Sequence, residues 1–419
     1  MSSTLSKTPA PSTRLTSLDG LRGLAALIVV IHHSLLVMPG IADLRRPPAI
    51  GSTLWILQDT PLKLLTVGNE AVLVFFVLSG MVLVLPAIDK VGYDWIAYYP
   101  RRVLRLYLPV AASVAFAALC IAISAQNSRT MTSSWVAGAS VDHPTWELFL
   151  RSLDVFQSGN AVNNPLWSLR WEMTFSLALP LFVAVAILAR KRWAWVLGGT
   201  YVLVWQGIVT GSAVLQYLPV FLAGALLAGN AASLSVWAKR VRKSWITNLA
   251  WMAALLGGCT LLILHWLLWP VIADLPPVMQ LADAASFPGA LVIVAVGFLW
   301  QPMIRALMIS PLRWLGRVSF GLYLVHVPII IAVANLLPPG EWLWTAAIAI
   351  PVSLVVAELF TRFVDGPSHR LSRRVGDAIS QRVAGHLARS HASPDAGSLV
   401  ERETRDRLAE VPPRVGSIR

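Results

Sequence analysis

Residues 17–38 of the chain, SLDGLRGLAALIVVIHHSLLVM, are apolar over a length that can cross a membrane, yet they contain ionisable side chains. Arg22 and His33 are costly to place inside a bilayer, where such side chains usually serve a function. Eleven residues at about 100° each return a helix to within about 20° of its starting face, so the two side chains point the same way, about 16 Å apart. The stretch predicts a membrane-spanning helix with a cation near one surface and an imidazole deep inside.

The composition of the whole chain is that of a polytopic membrane protein. Of the 419 residues, 56% are hydrophobic and only 13% are charged, about half the charged fraction of a soluble domain. The net charge of +13 comes from short basic clusters between apolar spans, which is typical of orientation signals, so we exclude nucleic acid as a partner. Cys120 and Cys259 lie in apolar runs and indicate neither a disulfide framework nor a metal site.

About ten stretches predict an all-α, polytopic bundle of transmembrane helices. Their approximate bounds are 18–38, 66–88, 104–124, 166–189, 194–209, 213–229, 247–268, 286–301, 318–336 and 342–363. Basic residues concentrate in alternate loops, so the positive-inside rule places both termini in the cytoplasm.

The spans define one membrane domain at 17–367, after a cytoplasmic N-terminal segment at 1–16. Residues 368–419 are polar, mixed in charge and without apolar periodicity. We therefore expect a disordered cytoplasmic tail that lies on anionic lipid.

His33 and Glu172 are ionisable residues at similar predicted depths. Each lies about 8 to 9 Å below the outer end of its span, at 1.5 Å per residue. The alternative for each is a plain hydrogen bond to a neighbouring helix. Their similar depth favours a shared polar cavity.

Three arginines, Arg101, Arg102 and Arg105, lie where the second loop meets the third span. One interpretation is a topology anchor that reaches lipid headgroups. The other is a phosphate clamp, because guanidinium groups bind phosphate in a bidentate manner and Arg101 and Arg105 share a helix face. Nearby, Ser79 and Gly80 suit close helix packing.

The ninth span contains Tyr323 and His326 on one face. His326 competes with His33 for the role of base, although Pro328 also fits a kink with a polar partner. His32 points about 100° away from His33 and is the weaker candidate.

The chain resembles the acyltransferase-3 family of integral membrane O-acyltransferases over residues 17–367. The resemblance rests on five motifs: LDGLRG at 18–23 with the Arg22-x10-His33 pair, FFVLSG at 75–80, RRVLR at 101–105, LWSLRWE at 166–172 and LGRVSFGLYLVH at 315–326. It adds the supporting candidates Asp19, Ser79, Trp167, Ser168, Tyr323 and His326.

Three positions depart from the pattern that many members of the family follow. Leu73 and Met173 stand where many members have Asp and Glu, so a carboxylate is missing at each, and Asp365 stands where Glu is usual. The Arg22 and His33 pair is intact.

The resemblance implies acyl transfer from an acyl-CoA, expected to be acetyl-CoA, to a hydroxyl of a glycan, lipid or secondary metabolite. Acyl-CoA is a substrate, and neither a permanently bound cofactor nor a metal is expected. Arg101, Arg102 and Arg105 would hold the donor phosphates.

His33 would act as general base or briefly carry the acyl group. Arg22 would stabilise charge on the donor or hold Asp19, and Glu172 would orient His33.

A transporter or flippase without covalent chemistry is the alternative, but the paired, broken half-helices expected of one are not evident. A non-catalytic scaffold leaves Arg22, His33 and Glu172 without a role. We expect an integral protein of a bacterial cell membrane.

Overall fold

A computed structural model describes residues 13–90, 92–131, 133–156, 162–241 and 244–391 of the chain, and the regular structure in these ranges is helical throughout. The α-helices are α1 (Thr13–Leu35), α2 (Pro39–Ala42), α3 (Thr53–Gln58), α4 (Gly68–Asp89), α5 (Trp95–Ser124), α6 (Ser134–Ala139), α7 (Trp146–Ser152), α8 (Leu166–Leu177), α9 (Leu179–Leu188), α10 (Trp193–Thr210), α11 (Ala213–Arg240), α12 (Trp245–Leu262), α13 (Leu264–Ile272), α14 (Pro276–Ala284), α15 (Ser286–Leu299), α16 (Gln301–Leu307), α17 (Ser310–Leu336), α18 (Trp342–Phe360) and α19 (Gly366–His391). Short 3₁₀ turns occupy Pro61–Leu65, Ser128–Thr130 and Arg190–Arg192, and a π-helical turn occupies Thr361–Asp365.

The predicted all-α polytopic fold is confirmed. Within the described residues, eight helical stretches are long and apolar enough to cross a membrane, and the count is nine if α8 and α9, which meet at a 64° bend, form one span. The prediction of about ten spans is therefore slightly high. The difference is α10, in which Trp, Gly, Thr and Gln dilute the apolar sequence.

The prediction of a disordered tail is wrong for residues 368–391, which form most of α19. This helix lies along the first turns of α5 with small residues at the contact. Gly376 packs against Ala97 and Arg101, and the Ser380 hydroxyl donates to Asp94 Oδ2 at 2.8 Å. Tertiary packing and ion pairing thus stabilise a helix that its polar sequence does not suggest. Residues 392–419 and most of the predicted N-terminal segment lie outside the described residues.

The most buried span is α17, which has 83% of its apolar window inside the protein. It packs against α1, α5 and α18. A side chain on either Gly23 of α1 or Gly316 of α17 would collide with the backbone of the other helix. The glycines of the first and last motifs therefore allow these two helices to approach closely, which fixes Arg22 and His33 relative to Tyr323 and His326.

A second close crossing joins α4 and α11. Gly80 lies against the backbone of Phe221, and Gly224 lies against the backbone of Val77. The packing role predicted for Gly80 is confirmed, whereas its neighbour Ser79 lines a cavity.

Candidate active site

A cavity between α1, α4, α5, α8 and α17 gathers many of the predicted site residues. It contains about 890 Å³ of space free of atoms, part of it open to solvent. The predicted residues that line it are Arg22, Ser79, Arg102, Arg105, Ser168, Glu172 and Tyr323. We call the part around Arg22, Arg102 and Arg105 the arginine end. Apolar side chains of α4, including Phe75 and Phe76, complete the wall.

Glu172 lies at the arginine end, where its partner is Arg102. Arg102 Nη2 donates to Glu172 Oε1 at 2.6 Å, and Arg102 Nε donates to Ser176 Oγ at 2.8 Å. The Arg102 side chain is only 10% exposed, so this carboxylate neutralises a nearly buried cation. The orientation of His33 by Glu172 that we predicted has no contact to support it.

The three arginines of the RRVLR motif occupy different environments. Arg101 is ion-paired with Asp377 of α19 and does not line the cavity. Arg105 faces the cavity and, like Asp365, helps to form its wall. Arg102 is neutralised by Glu172, so Arg105 is the member of the motif with its charge available to a ligand.

Arg22 of α1 lines the same cavity as Arg105 of α5. Its nearest carboxylate is Asp19, with 3.8 Å between Nη1 and Oδ1. Asp19 is exposed, and it does not line the cavity. The predicted Asp19 and Arg22 pair is therefore present as a loose ion pair, which leaves the Arg22 guanidinium able to reach a ligand.

A pair of hydroxyl groups, from Ser168 and Tyr323, forms another part of the cavity wall. Ser168 Oγ and Tyr323 Oη lie 2.7 Å apart, and both also lie within hydrogen-bond distance of the carbonyl oxygen of Pro165. Trp167, predicted as a supporting residue, does not line the cavity and packs against Tyr217 instead.

The two histidines that competed for the role of base are hydrogen-bonded to each other. His326 Nε2 lies 3.2 Å from His33 Nδ1, and the ring of Tyr323 lies 5.8 Å from that of His326. His326 is fully buried and His33 is half-buried. We call this region, with His32, the histidine end.

Backbone carbonyls lie against both imidazoles. His326 Nδ1 lies 3.0 Å from the Leu322 oxygen, and His33 Nδ1 lies 3.0 Å from the Val29 oxygen. With the proton on each Nδ1, both carbonyls have a donor, and His33 Nδ1 also faces His326 Nε2. In this tautomer His33 Nε2 carries a free lone pair, as a base requires.

Pro328 has its own polar partner. A proline has no N–H, so the carbonyl of Leu324, four residues earlier, lacks its helical donor. Asn163 Nδ2 donates to this oxygen at 2.8 Å. The kink is therefore satisfied by Asn163, and His326 remains available to His33.

His33 and Glu172 do not meet because depth along a straight helix is a poor guide for α8. Because α8 and α9 meet at a 64° bend, they cannot both be normal to the membrane, so 1.5 Å per residue along 166–189 does not measure depth. His326 takes the position next to His33 that we predicted for Glu172.

Two aromatic rings flank His33 on its other sides. Trp135 of α6 lies 5.4 Å from it between ring centroids, and His32 lies at 5.2 Å. The His32 Nδ1 atom is 2.7 Å from the carbonyl of Thr66, and its ring packs on Gly68. His32 thus holds the loop before α4, in agreement with its weaker standing as a base.

A second polar cluster adjoins this loop. Lys63 is almost fully buried, bonded to Gln58 and placed 3.7 Å from the centre of the Trp266 ring. Burial lowers the pKa of Lys63 to about 8, and burial raises the pKa of Asp59 to about 6. The cluster stabilises the connection between α1 and α4 that supports the histidine end.

No role was predicted from the sequence for Trp135 or for the contacts of α19. Trp135 lies in a short polar segment with no periodicity, and the α19 sequence is hydrophilic, so neither carried a signal. Asp365 was noted only as a departure from a motif, yet it lines the cavity.

The arrangement suits transfer of a chemical group from a ligand bound at the arginine end to a ligand bound at the histidine end. Exposed guanidinium groups can hold an anionic ligand at one end, and a neutral imidazole with a free lone pair can accept a proton at the other. Tyr323 belongs to both regions, since it lines the cavity and neighbours His326.

Comparison with known proteins agrees with this chemistry. A family model described as an acyltransferase domain matches residues 15–362, which is most of the chain. The acyltransferase MdmB of Streptomyces mycarofaciens is 27% identical over 403 residues, which cover 87% of this chain and 94% of MdmB.

Two peptidoglycan relatives are longer than the matching region. The putative peptidoglycan O-acetyltransferase YrhL of Bacillus subtilis is 26% identical, with 89% of this chain and 57% of YrhL covered. The peptidoglycan O-acetyltransferase OatA of Listeria monocytogenes is 24% identical, with 84% and 55% covered. The chain thus spans little more than half of either. No solved structure matches the chain. The extent of the family match settles its membership: the chain belongs to the acyltransferase-3 family and is an acyltransferase.

Proposed function

We propose that the protein transfers an acyl group, expected to be acetyl, from acyl-CoA bound at the arginine end to a hydroxyl presented at the histidine end. The observation that carries the proposal is the continuity between the two ends. The cavity lined by Arg105 is also lined by Tyr323, which neighbours the hydrogen-bonded His326 and His33 pair.

The donor fits the cavity by charge and by shape. Arg105 and Arg22 would bind its phosphate groups, because guanidinium binds phosphate through charge-assisted, bidentate hydrogen bonds. The predicted Arg101 and Arg102 contribute less directly, since Asp377 and Glu172 already pair with them. The apolar wall around Phe75 and Phe76 suits the thioester arm.

In the transfer step the acceptor oxygen attacks the thioester carbonyl carbon. A new C–O bond forms and the C–S bond breaks, with the electron pair leaving on sulfur. His33 Nε2 takes the hydroxyl proton, and the leaving thiolate then takes that proton from the His33 imidazolium, which restores the neutral base. His326 is a positioning residue, because its Nε2 accepts from His33 Nδ1 and so keeps the proton on that side.

A brief acyl-imidazole on His33 would use the same lone pair. His33 Nε2 must therefore be unprotonated whether His33 carries the acyl group or acts as a general base. Arg22, about 16 Å from His33 along α1, would neutralise charge on the donor's phosphates.

The acceptor is a hydroxyl of a glycan, lipid or secondary metabolite. Two of the relatives are peptidoglycan O-acetyltransferases, and this supports a glycan. For this chain, which spans little more than half of each, the class of acceptor is part of the proposal.

In this proposal the protein lies in a bacterial cell membrane with both termini in the cytoplasm. The concentration of basic residues in alternate loops supports this orientation by the positive-inside rule. It directs the arginine end to the cytoplasm, where acyl-CoA is made, and the histidine end to the other face. Membrane lipid then surrounds the apolar spans.

Reconstitution of the purified protein in lipid nanodiscs with labelled acetyl-CoA tests the proposal. Candidate glycan, lipid and metabolite acceptors are added in turn, and both thioester loss and label transfer are followed. We expect label on an acceptor hydroxyl with matching release of free thiol. An intact thioester with every acceptor would contradict acyl-CoA as donor and favour a transporter or flippase.

A further inference from the structure

The helix α19 packs along α5 next to the arginine end. Its contact with α5 runs through Ser372, Gly376 and Ser380, spaced four apart, of which Gly376 packs on Arg101 and Ser380 bonds Asp94. The two helices run antiparallel here, because higher numbers on α19 meet lower numbers on α5. The next stripe around α19 contains Asp377, which pairs with Arg101.

This register places Arg373 beside Arg105. One turn back from Asp377 on α19 is Arg373, and one turn on from Arg101 on α5 is Arg105. Arg105 and Arg373 both lie close enough for their charges to act on the imidazole of His369, one further turn back. The three side chains therefore lie near one another, and Arg105 is the one of them that lines the cavity.

The charge around Arg105 is unbalanced. The charges that act on Arg105 are those of two other arginines, Arg102 and Arg22, and of two carboxylates, Asp365 and Glu172, and Glu172 is already paired with Arg102. Among the described residues, neither Arg105 nor Arg373 forms an ion pair like those of Arg101 and Arg102. Like charges held together destabilise a protein, and an anion bound between them removes that repulsion.

From this juxtaposition we infer that Arg373 and His369 of α19 complete, with Arg105, a binding site for the nucleotide phosphates of the donor. The inference rests on the proposed function, which it deepens by assigning residues outside the membrane spans. Arg373 contributes a bidentate guanidinium and His369 a neutral hydrogen-bond donor, while the thioester arm enters the cavity past Arg105.

The matched control is Arg374, the next residue. It is exposed like Arg373, but it lies about 200° around the helix from the α5-facing stripe and so points away from the cavity. R373Q and R374Q remove the same charge from the same helix, which cancels any general effect of net charge.

The test is equilibrium binding of CoA to the full-length protein in phosphatidylcholine nanodiscs. At low salt we expect R373Q to weaken CoA binding about tenfold, the loss of one charge-assisted contact, and to reduce its salt dependence. R374Q should stay within about twofold of the wild type. Thermal unfolding of each variant verifies that the fold is intact.

Equal CoA affinities for R373Q and R374Q would overturn the inference and leave the proposed donor untouched. Failure of the folded wild type to bind CoA would overturn both, because the proposed function then lacks its donor. A loss in R373Q alone supports the α19 site.

Discussion

The arginine end and the histidine end both place polar groups inside a helical bundle, but they stabilise them in different ways. At the arginine end, Glu172 neutralises Arg102, and a large cavity admits solvent to Arg105. At the histidine end, two neutral rings and backbone carbonyls satisfy one another, and His326 is fully buried. The first suits a charged ligand that enters and leaves, whereas the second suits proton transfer between groups that are largely shielded from solvent.

This difference explains why the Glu172 carboxylate and the His33 imidazole lie in separate parts of the site. A carboxylate beside His33 would favour the imidazolium, which cannot accept a proton. With His326 as its partner, His33 stays neutral. Glu172 instead balances a guanidinium near the donor side.

The largest expected effect comes from removing the base at the histidine end. H33A should lower acyl transfer by about 10²- to 10⁴-fold, because the proton acceptor is lost. CoA binding at the other end should stay unchanged, and the exposed His143 gives a matched control, H143A. Transfer rates measured with labelled acetyl-CoA test this, and near-wild-type activity of H33A would remove His33 from the mechanism.

The next effect isolates the hydrogen bond between the histidines. H326A should reduce transfer by about 10- to 100-fold, the range found for groups that orient metal-binding histidines, because His326 likewise holds the ring of His33 through a hydrogen bond. If His326 acts through His33, the double variant H33A/H326A should be no slower than H33A. Multiplicative losses in the double variant would indicate that His326 has a separate role.

A pair of substitutions sharpens the contrast within the arginine end. R105Q should weaken CoA binding about tenfold and lower its salt dependence, because Arg105 faces the cavity. R101Q should change binding less than about twofold, since Arg101 is engaged by Asp377. Binding isotherms at two salt concentrations measure both, and equal losses would restore the phosphate clamp in which Arg101 is a full member.

The smallest effect concerns the ion pair between Glu172 and Arg102 at the arginine end. E172Q should lower the free energy of unfolding by about 1 kcal/mol, because Arg102 loses its charged partner and keeps an amide hydrogen bond. The measurement is thermal unfolding in nanodiscs alongside the pH profile of transfer. A shift of the acidic limb of that profile with no loss of stability would revive a pairing of Glu172 with His33.

The sequence alone was sufficient for the fold class and for most of the site residues. Long apolar stretches allow only helices in a bilayer, because every backbone N–H and C=O must be satisfied within the segment. Ionisable residues inside such stretches are rare enough to mark a site, which is how Arg22, His33 and His326 were found, whereas Ser168 was predicted from the resemblance to the family.

The identity of each partner was decided by the tertiary structure. Spacing along one helix placed Arg101 and Arg105 on one face, but α19 occupies Arg101 and leaves Arg105 to the cavity. The helical order of α19 itself comes from its contact with α5, which no local pattern encodes.

Periodicity therefore determined which residues lie inside the membrane and on which face of their own helix. Only the bend between α8 and α9 and the close crossing of α1 with α17 decided that Glu172 meets Arg102 and His33 meets His326. The physical reason is that rotation and rise are properties of one helix, whereas the pairing of polar groups depends on the angles and distances between helices, which the packing of glycines, prolines and large side chains sets together.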